Sequence, residues 1–242
     1  MSTNAKLKRG VGIAALVTIA LTFWLGLVVT PPAEVMGNLV RMLYIHPPMA
    51  WIAYLAYGIT TAASLLYLWK RTRRREWDLL AAASAEAGVF FTGLTILTGS
   101  IWGRPAWGVW WTWDALLTAT AVLFLLYLGY LALRQVPMSE TKRGVRSAIA
   151  AVVAFIDVPI VHESVYWWKT LHQTPSVLNP SMNVEVHGSM AWTLLLGFVA
   201  FTLAYVWMVW TRFETSKRQA QLVDLEVEKA IHERLAAEEV RI

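Results

Sequence analysis

The sequence predicts an all-α membrane protein of six transmembrane helices, with both termini in the cytoplasm and a tryptophan-rich outer loop between helices 3 and 4. Three observations carry that expectation: the scarcity of charge, the length of the apolar runs, and the side on which Lys and Arg fall. The 242 residues are 57% hydrophobic and 15% charged, against the roughly 25% charged that is usual in soluble domains. Such a chain is either one large apolar core or a set of membrane spans. Uninterrupted apolar runs of about 18 residues or more favour spans, because about 20 helical residues cross the ~30 Å hydrocarbon layer. Six runs qualify or come close: 11–29, 49–69, 79–101, 115–133, 145–166 and 188–210.

The first run follows a basic N-terminus, as a signal peptide would. It is long for a signal h-region and ends in Pro31-Pro32 without a small-residue cleavage site, so it reads as a span. In the connector 30–48, Val35, Met36, Leu39, Met42 and Leu43 have helical spacing and predict a short interfacial helix. That connector ends in Ile45-His46-Pro47-Pro48. Proline suits the first turn of a helix, which places His46 at the outer edge of the second span. The next outer loop is read as Trp102–Asp114, with Asp114 well placed to cap the fourth span. The third runs from about 167 to 187. Residues 1–212 thus form one six-helix domain, and 213–242 a charged cytoplasmic helix with Val223, Val227, Ile231 and Leu235 on one row. Glu86 and Asp157 fall inside spans, where a carboxylate is expensive and usually paired or functional. Asp157 is expected to satisfy local backbone or a neighbouring helix, and Glu86, nearer the cytoplasmic end, to be protonated or bound to a partner subunit.

Of the 21 Lys and Arg, 18 lie in the N-tail, the connectors 70–78 and 134–146, and the tail from 212. Only Arg41, Arg104 and Lys169 remain for the other side. This is the positive-inside asymmetry, and it sets the orientation as N-in, C-in. The net charge of +5 therefore reports topology and gives no weight to nucleic acid binding. The absence of cysteine excludes disulfides, thiolate metal sites, iron–sulfur ligation and covalent haem attachment to this chain. There is no internal repeat and no P-loop.

Tryptophan carries the most information. Nine of the 14, namely Trp51, Trp102, Trp107, Trp110, Trp111, Trp113, Trp167, Trp168 and Trp192, fall at or near the outer face, five of them within 102–113. An interfacial aromatic belt explains some of this. The clustering also suits a flat apolar shelf with N–H donors at its rim, a platform for a large planar ligand. Four of the five histidines (His46, His162, His172 and His187) are assigned to the outer side, and His232 to the tail. A lone histidine is usually structural, but two converging on an aromatic shelf supply the pair of axial imidazoles that haem requires.

The run Trp102-Gly-Arg-Pro-Ala-Trp-Gly-Val-Trp-Trp-Thr-Trp-Asp114 resembles the signature of the WWD-domain haem-handling membrane proteins of cytochrome c biogenesis. Within that group the chain is most similar to the CcmC, or haem exporter protein C, family. Ile45-His46-Pro47 with Trp51, and Trp167-Trp168-Lys169-Thr170-Leu171-His172-Gln173, agree with it. The resemblance covers about 1–212. It implies a non-enzymatic protein of the bacterial inner membrane that binds haem b at its periplasmic face and presents it to the haem chaperone CcmE. It further implies a complex with the ABC transporter subunits CcmA and CcmB and the small membrane subunit CcmD. His46 and His172 are the implied axial ligands, with Trp102, Trp107, Trp110, Trp111, Trp113 and Asp114 presenting the porphyrin. His46 with His187, beside Trp192, is the competing pair. Where the family carries Arg two residues after the aspartate, this chain has Leu116, so Arg104 and then Lys169 become the candidates for the haem propionates.

Two other classes are weighed against this one. A b-type cytochrome would place histidines inside its spans, and the assignment above leaves none there. A permease calls for broken helices with polar midplane groups, for which only Glu86 and Asp157 speak. The charge asymmetry generates a direct test: reporter fusions after residues 75, 140 and 220 should signal cytoplasm, and those after 38, 108 and 178 the opposite side. A cytoplasmic signal at 108 would put the tryptophan segment on the wrong face.

Overall fold

The computed structural model describes residues 3–173 and 186–239. The protein is 83% helical, and its described residues hold no strand beyond one isolated bridge between Ala33 and Gly37. Helix α1 (Thr3–Trp24) continues as a π-helical turn, Leu25–Val29. Thr30 ends it, its backbone N–H and hydroxyl both donating to the Leu25 carbonyl. A 3₁₀ helix, Asn38–Tyr44, leads into α2 (His46–Leu68), followed by α3 (Arg75–Trp107), α4 (Ala115–Leu133), α5 (Glu140–Phe155), α6 (Asp157–Trp167) and α7 (Gly188–Glu239). Six segments are long and apolar enough to cross a membrane: Asn4–Val29, Asn38–Leu68, Arg75–Trp107, Ala115–Leu133, Glu140–Trp167 and Gly188–Ala236.

The fifth of these is two helices. Pro159 has no N–H, and its ring crowds the carbonyl four residues back. The ladder breaks there, with the Ile156 N–H turning to Val153 O at 3.2 Å.

Helix α2 organises the bundle. Its Ile52–Ala56 face packs with Ala83, Ala87 and Phe91 of α3 and Phe201 and Tyr205 of α7. Its Ala53–Tyr57 face packs with Leu123 and Tyr127 of α4 and Ala151 of α5. The rings of Tyr57 and Tyr127 stack at 3.6 Å. Leu16 on α1 and Leu125 on α4 are 71% and 64% exposed, as suits surfaces solvated by hydrocarbon rather than water.

Ion pairs join the helices toward the end that carries the basic connectors. Arg134, just past α4, grips Asp78 on α3 with two donors at 2.6 and 2.8 Å, and both side chains are nearly buried. Glu86 on α3 meets Arg212 on α7, a partner within the chain where protonation or a partner subunit was expected. Lys8 pairs with Glu214, and Arg75 with Glu140 and Asp224.

Three boundaries differ from the sequence reading. The expected interfacial helix is the 3₁₀ helix Asn38–Tyr44, whose Val40 and Tyr44 are buried in the bundle instead of lying on its surface. The tryptophan loop is shorter than expected, because α3 continues to Trp107 and makes Trp102 and Trp107 helical. The tail shows no break at 212. From Phe213 to Glu239 there is neither Gly nor Pro, so nothing stops the 52-residue α7. The row Val223, Val227, Ile231 and Leu235 is exposed.

Asp78→Ala leaves a buried guanidinium without its counter-charge and should cost about 3–5 kcal/mol. Replacing Arg134 by Leu in that variant should recover most of it. A thermal melt of the purified variants checks this, and an unchanged midpoint in Asp78→Ala would show the pair to be solvated.

Candidate functional site

At the end of the bundle away from the basic connectors, a cavity of about 290 Å³ opens among α2, α3, α4, α6 and α7. His46, Trp102, Trp107, Leu116 and His172 line it, together with Trp51, Tyr54 and His162 deeper in. Four predicted site residues therefore meet: His46, His172, Trp102 and Trp107. The imidazole centroids of His46 and His172 lie 6.4 Å apart with their planes tilted by 39°. Trp102 stands edge-on to His46 at 5.8 Å, and Trp107 edge-on to His172 at 6.0 Å.

His46 opens α2, with Pro47 and Pro48 in the first turn fixing the backbone. Its ring rests on α3 at Gly99, where an added Cβ would come within 3.0 Å of the imidazole Cε1. Nδ1 lies 3.1 Å from the Thr98 hydroxyl. That hydroxyl already donates to Leu94 O at 2.7 Å, so its oxygen accepts from Nδ1–H. His172 Nδ1 lies 2.7 Å from the Gln173 carbonyl. A carbonyl can only accept, so here too the proton sits on Nδ1. Both imidazoles are thus held in the tautomer that leaves Nε2 with a bare lone pair, the form a metal takes.

Asp114 joins the two loops. One carboxylate oxygen accepts from Leu117 N at 2.9 Å and caps α4. The other accepts from Leu171 N at 3.0 Å, which anchors the residue just before His172. The expected cap is present, and a second bond that sequence spacing could not show goes with it. Upstream, α3 ends at Gly108, whose φ of +80° reverses the chain. Arg104 donates to the Gly108 carbonyl and stiffens that turn.

The remaining predicted residues sit at the rim or beyond it. Trp110 and Trp113 are 60% and 77% exposed, and Trp111 stands edge-on to Trp113 at 5.5 Å. None of these three lines the cavity, so the aromatic shelf divides into two cavity tryptophans and an exposed rim that also holds Trp167 and Trp168. Arg104 and Lys169 are exposed. His187 is exposed ahead of α7 and apart from the cavity wall, and residues 174–185 of the third outer loop lie outside the described residues. Leu116 contributes apolar wall where the sequence comparison led one to expect a cation.

His162 corrects an assignment. Its place is inside α6 and on the cavity wall, so one span does contain a histidine. The sequence reading also missed Thr98 and Gly99. Their signal is tertiary, since 52 residues separate His46 from Thr98.

Asp114→Ser should keep the α4 cap, since Ser caps about as well as Asp, yet be too short to hold Leu171. Hydrogen exchange should then speed up at Leu171 and His172 with thermal stability nearly unchanged. Asp114→Ala should add the loss of the cap, about 1 kcal/mol. Unaltered exchange in Asp114→Ser would refute the tie between the loops.

Comparison with known proteins shows the family. The family model described as CcmC, heme exporter protein C, matches residues 1–228. The heme exporter protein C of Bradyrhizobium diazoefficiens is 39% identical over 171 residues, 70% of this chain and 64% of that protein. The protein of the same name from Haemophilus influenzae is 37% identical over 193 residues, covering 78% and 75%. The one from Escherichia coli K12 is 33% identical over 188 residues, covering 77% and 75%. A match along nearly the whole chain, on a six-helix architecture, shows that the chain belongs to the CcmC, or heme exporter protein C, family.

Proposed function

We propose that this protein binds haem b through the Nε2 atoms of His46 and His172 and presents it at the periplasmic face of the bacterial inner membrane. The observation that carries the reading is the adjacency of the two imidazoles, 6.4 Å between ring centroids. A metal-to-imidazole bond is about 2 Å long, so an iron between two such rings separates their centroids by roughly 6 Å. The donor set fits as well: two neutral imidazoles, each with Nδ1–H engaged, beside two indole edges and apolar walls.

The chemistry of the site is coordination. His46 is fixed by a helix start and by Thr98, whereas His172 sits on a short loop secured through Leu171 to Asp114. That asymmetry suits a ligand to be given away, because the loop histidine can withdraw while the helical one keeps its place. The cavity is at the small end of the usual ~300–1,000 Å³ for ligand sites. It favours a porphyrin held by one part, with another part at the rim near exposed Trp110 and Trp113. Such an exposed apolar rim is what a receiving protein would cover, and we assign that role to the chaperone CcmE. The exposed Arg104 and Lys169 supply positive charge for the propionates. CcmA, CcmB and CcmD complete the assembly in this reading, and the charge asymmetry supports its orientation.

Haem added to the purified chain should give a six-coordinate low-spin spectrum. His46→Ala and His172→Ala should each convert it to a five-coordinate species or release the haem. His187→Ala should keep both spectrum and content. If haem is lost from His187→Ala while His172→Ala retains the low-spin spectrum, the ligand assignment is wrong.

A further inference from the structure

The inner part of the same cavity holds polar groups that the axial pair does not use. His162 lies five residues before the end of α6 at Trp167, roughly 7 Å down the helix. Tyr54 lies eight residues after His46 on α2, roughly 12 Å below it. Both line the cavity, and their rings stand edge-on at 6.1 Å. Among the described residues, neither side chain makes a hydrogen bond with another protein group. Asp157, at the α5–α6 break and within electrostatic reach of Tyr54, has a buried carboxylate oxygen that also lacks a partner. The neighbouring core tyrosines differ: Tyr57 bonds Thr92 at 2.7 Å, and Tyr127 donates to the Ala151 carbonyl.

Of the three, the Asp157 oxygen is fully buried without a partner, a state that buried polar groups rarely keep, while half-buried Tyr54 and His162 open onto an apolar cavity wall, where a few polar groups suit a ligand. An ionisable residue inside a span is likewise a mark of function rather than packing. The occupant must suit an imidazole and a phenol set among Ala53, Thr92, Ile96, Leu123 and Val161. A carboxylate-bearing edge is disfavoured beside Asp157, since like charges repel and neither is hydrated there. A metal centre carried by an apolar macrocycle is favoured: neutral imidazole is an axial ligand, and so is a tyrosine phenol.

We infer that His162, with Tyr54 beside it, forms an inner station that takes the iron of haem by one imidazole and passes it along the cavity to the His46–His172 pair. This rests on the haem reading above and adds a place for the cargo before it reaches the outer ligands. The exchange moves a coordinate bond from the His162 nitrogen to Nε2 of His46 and then of His172, with no change in iron oxidation state. An iron with one imidazole is high-spin and five-coordinate, whereas the outer pair makes it low-spin, so the two stations have separate spectra.

The test uses the full chain in lipid nanodiscs, titrated with ferric protoporphyrin IX. With both outer ligands removed (His46→Ala with His172→Ala), a residual high-spin species should remain. Adding His162→Ala should weaken it about tenfold or more, a difference of ~1.4 kcal/mol or more. In the same background His162→Met should leave haem bound but replace the imidazole spectrum by one of a thioether, which guards against simple loss of folding. With the outer pair intact, His162→Ala should reach the wild-type low-spin spectrum but do so several times more slowly. Equal residual binding with and without His162, together with an unchanged loading rate, overturns the inner station and leaves the outer pair standing. A wild-type chain that takes up no haem overturns both.

Discussion

Hydrocarbon offers the backbone no hydrogen-bond partner, and the rest of this structure follows from that constraint. Every crossing segment must satisfy its own N–H and C=O groups, which leaves helices as the form of all six spans. Irregular backbone among the described residues lies mostly at the ends of the bundle, with the α5–α6 break at exposed Ile156 the exception. The π-turn at Leu25–Val29 is closed by Thr30, and the α5–α6 break by a 3₁₀-type bond. The chain can reverse at Gly108 and bring in the His172 loop because those stretches lie where the helices stop. The candidate site lies at the helix ends, where side chains from distant elements can converge on irregular backbone.

The same constraint sorts the polar side chains. Asp78 with Arg134, Glu86 with Arg212 and Lys8 with Glu214 are joined across helices toward the basic end. A charge that leaves water without a partner is costly, and these pairs spare the helices that cost. Toward the loop end the logic changes. The Nδ1 atoms of His46 and His172 are engaged by Thr98 and the Gln173 carbonyl, with the Thr95 backbone also beside His46. His162, Tyr54 and the buried oxygen of Asp157 have no protein partner among the described residues. The basic end pairs these charges across helices, whereas the loop end sets His46, His172, His162 and Tyr54 on a cavity wall.

Holding a ligand firmly enough to bind and loosely enough to release requires unequal supports. His46 has a helix, two prolines and a threonine behind it. His172 has a loop fastened by one backbone bond to Asp114. Because the same carboxylate caps α4, any movement of that helix end is felt at His172. The two loops are therefore mechanically one unit, although the residues that join them are 57 positions apart.

The sequence by itself determined the class, the number of spans and the residues worth examining. Apolar run length is a one-dimensional quantity, and a bilayer reads it directly. His46 and Asp114 were legible for a similar reason, since proline in a first turn and a capping carboxylate are local features. Motif resemblance supplied His172. What only the tertiary structure decided was convergence and its details. It set Thr98 behind His46, tied Leu171 to Asp114, and divided the tryptophans into Trp102 and Trp107 on the cavity wall and Trp110 and Trp113 at the rim. It also set His162, which the sequence assigned only to the outer side, inside α6 and on that wall. These outcomes depend on how helices pack side by side, and contacts between residues 50 or more positions apart leave no periodicity in the chain to read.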